Sequence, residues 1–119
     1  MLQQKIKQLA TAMQLELQSI RQHLHAHPEL SYKEFETSAF VQEYLKKLHI
    51  PFEIKAETGL VGLIKGKNPQ SRIIALRADM DALPIQEEND VPYRSTKPGQ
   101  HCVAKLVVAQ HIPLFPDER

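Results

Sequence analysis

Ile6, Leu9, Met13, Leu17, Ile20 and Leu24 recur at steps of three and four, with mainly polar residues and alanine between them. That period draws one apolar stripe on an α-helix, and such a stripe needs a partner surface. Pro28 stops the helix. Ser31-Tyr32-Lys33-Glu34 then reads as a capping box, with Leu30 and Phe35 placed as the hydrophobic staple beside it, so a second helix is predicted to begin near Tyr32. Its stripe passes through Phe35, Val41, Tyr44, Leu45 and Leu48, and Pro51 marks where it can run no further.

After Pro51 the period changes to two: Phe52, Ile54 and Ala56 alternate with Glu53, Lys55 and Glu57, the pattern of a half-buried strand. Thr58-Gly59 supplies a turn, Leu60 to Lys65 a second strand, and Gly66 to Ser71 a polar loop. A third, apolar strand is predicted from Arg72 to Arg77. Pro84 to Gly99 is polar and rich in turn formers, as in a long active-site loop or a hairpin. In the tail, Val103 to Ala109 is an apolar run with Lys105 inside it, where one short strand or helical turn fits before Pro113 and Pro116. The order is two helices followed by strands, with no internal repeat.

The chemistry gathers at the end of the third strand, in Arg77-Ala78-Asp79-Met80-Asp81-Ala82-Leu83-Pro84. A buried strand is a rigid mount, and the carboxyl ends of such strands are where ligands collect in open α/β sheets. In extended chain Asp79 and Asp81 project to one side and Met80 to the other. Two acids held together repel each other unless a metal, a cation or a shared proton offsets their charge. The plain reading of the pair is one turn cap and one solvated acid.

Several segments, in order, resemble one family. Arg21-Gln22-His23-Leu24-His25-Ala26-His27-Pro28-Glu29-Leu30-Ser31 is similar to the R-x-x-L-H-x-x-P-E-L-S opening of the aminoacylase, hippurate hydrolase and auxin-conjugate hydrolase group of metallopeptidases. Thr58-Gly59-Leu60-Val61-Gly62 resembles its T-G-V-V-G hairpin, the Arg77 to Ile85 block with Glu87 its strand-end block, and Ser95 with Lys97-Pro98-Gly99 its approach to the metal site. Ordered blocks are far more specific than any one motif. The resemblance covers residues 21–99 and implies an α/β fold: two N-terminal helices followed by strands of a mixed sheet, the incomplete start of a zinc-peptidase-like catalytic domain. It implies metal-dependent hydrolysis of the amide bond of N-acyl amino acids, with divalent ions such as zinc or manganese as cofactors. It also implies that Asp81 lies beside the metal centre and orients a metal-binding group, as carboxylates behind a ligand do. Arg77 and Asp79 are expected to form an ion pair or a turn hydrogen bond, and Pro92-Tyr93 with Arg94 to border a substrate pocket.

The resemblance stops after Gly99. The family continues M-H-A-C-G-H-D-x-H, whereas this chain reads Gln100-His101-Cys102-Val103-Ala104-Lys105, with His and Cys present as types but not at matching spacing. The family's paired glutamates and later histidines have no counterpart. The expectation is therefore a metallopeptidase-like portion over residues 1–99 and a divergent tail over 100–119, produced by a frameshift or a truncated reading frame. Such a chain is expected to bind no metal and to be inactive alone. The alternatives are a non-catalytic interaction module, recruiting partners through uncovered apolar surfaces, and a non-functional gene remnant.

Composition narrows the classes. Hydrophobic residues at 42% and charged residues at 24% are the proportions of a globular chain rather than a disordered one. A net charge of +1 offers no electrostatic case for nucleic acid or an anionic membrane. No apolar run approaches the roughly 20 residues of a membrane helix, and a single cysteine closes no internal disulfide, so cytoplasm is the expected location. His23, His25 and His27 alternate, but on a helix only His23 and His27 share a face. Packing at the helix end and bonds to its last carbonyls account for them better than metal does. His101, Cys102 and His111 offer donors in the tail without a constrained turn to aim them, so a free thiol of no function is the plainer reading.

Overall fold

The computed structural model describes residues 1–68, 70 and 72–100, together with the backbone of Val107–Ile112. In chain order the elements are α1 (Leu2–Ala26), α2 (Phe35–Lys47), β1 (Phe52–Lys55), β2 (Gly59–Gly62), β3 (Ile73–Ala78) and β4 (Val107–Ile112). They fall into two compact units, Met1–Pro28 with Ala82–Val103, and Glu29–Asp81 with Ala104–Arg119.

In the first unit, α1 runs through strong helix formers with no glycine or proline before Pro28. The predicted stripe forms but stays largely uncovered: Leu9 and Leu17 keep 55% and 51% of their surface, and only Ile20 and Leu24 near the end are half-buried. Among the described residues the stripe lacks the partner surface its pattern asks for. Residues 84–100, beyond the buried Ala82, contain no helix or extended strand.

In the second unit, α2 starts three residues later than the capping-box reading placed it. Its N-cap is Glu34, which makes no side-chain cap bond. The first-turn amides of Glu36 and Thr37 instead donate to the carboxylate of Glu29, at 3.2 and 2.6 Å, and the Thr37 hydroxyl donates to it as well at 2.6 Å. Glu34 is turned to another task, accepting the Thr58 hydroxyl at 2.9 Å. The local box fails because Tyr32 takes a left-handed φ of 65°, which breaks the helical path from Ser31. Phe35 is therefore the first helical residue rather than half of a staple, and it is exposed.

β1 and β2 pair antiparallel, Phe52 opposite Gly62 and Lys55 opposite Gly59. The turn is centred two residues earlier than Thr58-Gly59, with Ala56 and Glu57 carrying left-handed φ values of 50° and 68°. Gly59 opens β2 instead. A Cβ there would stand 2.8 Å from the Lys55 carbonyl oxygen, so the ladder closes only on glycine. β2 ends at Gly62, short of the predicted Lys65.

β3 forms where the apolar run predicts it, but it is not the buried strand expected from that run. Ile74 and Leu76 are exposed, Leu76 at 72%. Among the described residues β3 pairs antiparallel with β4 alone, Ile73 opposite Ile112 through Ala78 opposite Val107, in a sheet of two strands. Two strands have no second layer to bury their faces. The tail thus contributes one strand, Val107–Ile112, overlapping the end of the predicted apolar run; Val103 to Leu106 lie outside the described residues.

Candidate functional site

β3 ends at Ala78, so both acids lie beyond the strand and its alternation no longer governs them. Asp79 is exposed and paired with Arg77, whose Nε and guanidinium nitrogen both stand 3.2 Å from its Oδ1. Of the two roles expected from the sequence, an ion pair or a turn hydrogen bond, the ion pair forms. Asp81 is half-buried, like Met80, rather than facing outward with Asp79. Asp79 and Asp81 thus do not share the exposure expected of two acids on one outward face, and both lie past the end of the pleat at Ala78.

The described residues do not fit a metal: no group of three or more His, Cys, Asp and Glu comes together among them. His101 and Cys102 lie outside the described residues, and of His111 only the backbone is described, opposite Ile74. The helical histidines behave as their position implies. The His27 Nδ1–H donates to the His23 carbonyl at 2.8 Å, and the two rings lie 4.5 Å apart.

His25 does more than helix-end packing. Its Nε2–H donates to Glu87 Oε1 at 2.7 Å, and its ring meets Tyr93 edge-on at 5.3 Å. Glu87 is 2% exposed, and its other oxygen accepts the Ser95 amide at 2.7 Å. That backbone bond, with smaller help from His25 and Asn89, outweighs burial and holds the Glu87 carboxyl down at about 2, from an ordinary value of 4.5. Arg94 donates to the Glu87 carbonyl at 2.9 Å. Tyr93 and Arg94, expected at a pocket rim, are thus engaged with His25 and Glu87. Glu87 lies in a family block, but 62 residues separate it from His25, and neither period nor spacing links them.

By sequence and by fold, the chain is similar to the N-terminal part of an M20-type metallohydrolase. The crystal structure of the Bacillus subtilis YxeP protein, a dinuclear metal binding peptidase from the M20 family, matches it with a TM-score of 0.71 and 38% identity, over 76% of this chain and 26% of that one. An uncharacterized hydrolase of Staphylococcus aureus is 55% identical over 75 residues, 63% of this chain and 19% of that protein. A probable hydrolase of Synechocystis is 45% identical over 97 residues, 80% of this chain and 24% of that protein. The chain thus spans about a fifth to a quarter of the length of these curated relatives. No family model matches it. No helix among the described residues is long and apolar enough to cross a membrane.

Proposed function

We propose that this chain is the opening part of a metal-dependent amidohydrolase acting on N-acyl amino acids or similar peptide-like small molecules, and that the 119-residue chain does not turn them over by itself. The likeness to an M20 dinuclear metal binding peptidase supports the first half. In the longer enzyme, bound divalent ions such as zinc or manganese would supply Lewis-acid chemistry, and among the described residues none forms a group to hold them. We assign Asp81, three residues past the end of β3 and inside the family block that starts at Arg77, the role of orienting a metal-binding group in the longer protein.

The observation that carries the second half is the commitment of the buried glutamates. Glu29 caps α2, Glu34 holds the Thr58 hydroxyl, and Glu87 holds the Ser95 amide and His25. A general base must reach its proton, and these carboxylates are spent on structure. With no ligand group among the described residues, no hydrolytic step is assigned to them. The balanced charge and the single cysteine support a cytoplasmic setting without nucleic acid or membrane partners.

The test is an assay of the purified chain on N-acetyl and N-benzoyl amino acids with added zinc or manganese. No turnover is expected; turnover abolished by a chelator would overturn the inactive reading. Reading the gene in all three frames past the Gly99 codon tests the rest. Another frame spelling the family's M-H-A-C-G-H-D would identify the repaired gene as the enzyme to assay. The exposed stripe of α1 favours a second reading, an interaction module, which a monodisperse monomer in solution would argue against.

A further inference from the structure

The segment after Ala82 is irregular, yet it is fastened. The Thr96 amide and hydroxyl both donate to the carbonyl of Ala26, the last residue of α1, at 2.9 and 2.7 Å. That carbonyl is one of the orphan acceptors every helix leaves at its end. One residue earlier on the helix, His25 reaches Glu87, and on the segment itself Ser95, Asn89 and Arg94 close on the same residue. Gln86 completes the ring by accepting the Gly99 amide at 2.7 Å.

We propose that residues 86–99 form a strap fastened to the last turn of α1 through Glu87, and that loss of the Glu87 charge releases the strap locally while the β1–β2 hairpin stays folded. The fastening is polar. Ala82 and Pro28 are the buried apolar residues among those described, so little apolar burial resists release. The carboxylate takes donors on both oxygens, from the amide, the imidazole and the Asn89 side chain. A protonated acid must turn one oxygen into a donor facing those donors. Positive charge on His25 favours the carboxylate, Tyr93 faces the His25 ring, and Arg94 holds the Glu87 carbonyl, so these neighbours support the fastening. Because the folded carboxyl lies below its ordinary value, its contribution is complete above pH 4.5 and is lost as pH falls towards 2.

The experiment is amide hydrogen exchange on the full chain at pH 7, comparing the wild type with Glu87→Gln. The Leu63 amide, bonded to the Pro51 carbonyl at 3.0 Å, serves as internal reference. Protection of the Ser95 and Thr96 amides is expected to fall about tenfold or more in the variant, with Leu63 unchanged. Ser95→Ala, which keeps the amide, should leave the Ser95-position protection in place. Unchanged protection in Glu87→Gln would overturn the proposal. So would equal loss at Leu63, which would make Glu87 a determinant of global stability, or absence of Leu63 protection in the wild type.

Discussion

At the scale of single residues, two carboxylates of the same chain differ sharply in what their removal should do. Glu29 is buried and satisfies two amides of the first turn of α2. Glu29→Ala is expected to cost about 1–2 kcal/mol, as loss of a cap does. In a chain of this size, that is a fall in Tm of roughly 4–8 °C per kcal/mol, read by thermal melting in circular dichroism. Asp79 forms its pair with Arg77 in solvent, with 54% and 77% of the two side chains exposed. Asp79→Ala should therefore change stability by less than about 0.5 kcal/mol, since water and salt screen such a pair. A loss as large as that of Glu29→Ala would contradict this ranking. Glu87 adds a dependence on pH: its depressed carboxyl helps hold residues 86–99 to the end of α1 above pH 4.5, and that share disappears on acidification towards 2. Protection of the Ser95 amide, corrected for intrinsic exchange, should drop between pH 6 and pH 3, and the drop should be smaller in Glu87→Gln.

At the scale of elements, the β1–β2 hairpin holds opposite demands a few residues apart. Ala56 and Glu57 adopt left-handed φ with a Cβ, at a cost of about 1 kcal/mol each, while Gly59 is required by the close carbonyl of Lys55. Ala56→Gly should therefore raise stability, and Gly59→Ala should lower it by about 1–3 kcal/mol as the ladder shifts to admit a methyl group. If both changes moved stability in the same direction, the turn would not have the geometry described. Element types were legible because they rest on local period: α1 and α2 on steps of three and four, β1 and β3 on apolar or alternating runs. Boundaries were less so. The start of α2 depends on Glu29 reaching seven and eight residues ahead, an option that outcompetes the nearby Ser31 box.

At the scale of the whole molecule, the chain has helices and strands with little apolar interior. Much of the α1 stripe and of β3 is exposed, and the buried polar residues Glu29, Glu34, Thr37, Ser38, Thr58 and Glu87 outnumber the buried apolar ones among those described. Hydrophobic burial is the main favourable contribution to folding, so the purified chain should melt broadly and bind a hydrophobic dye in its native state. A sharp, highly cooperative transition without dye binding would show that the stripe is covered in solution.

Local pattern and motif order were enough to establish the two helices, the strands after them, the Arg77–Asp79 pair and the likeness to M20 hydrolases, because each depends on residues close in the chain or on blocks in a set order. The tertiary structure alone decided that β3 lies exposed in a two-stranded sheet, that Glu29 caps α2, and that His25 and Glu87 meet across 62 residues. Burial and long-range hydrogen bonds depend on which surfaces the rest of the chain brings near. No period written along a strand or helix carries that information.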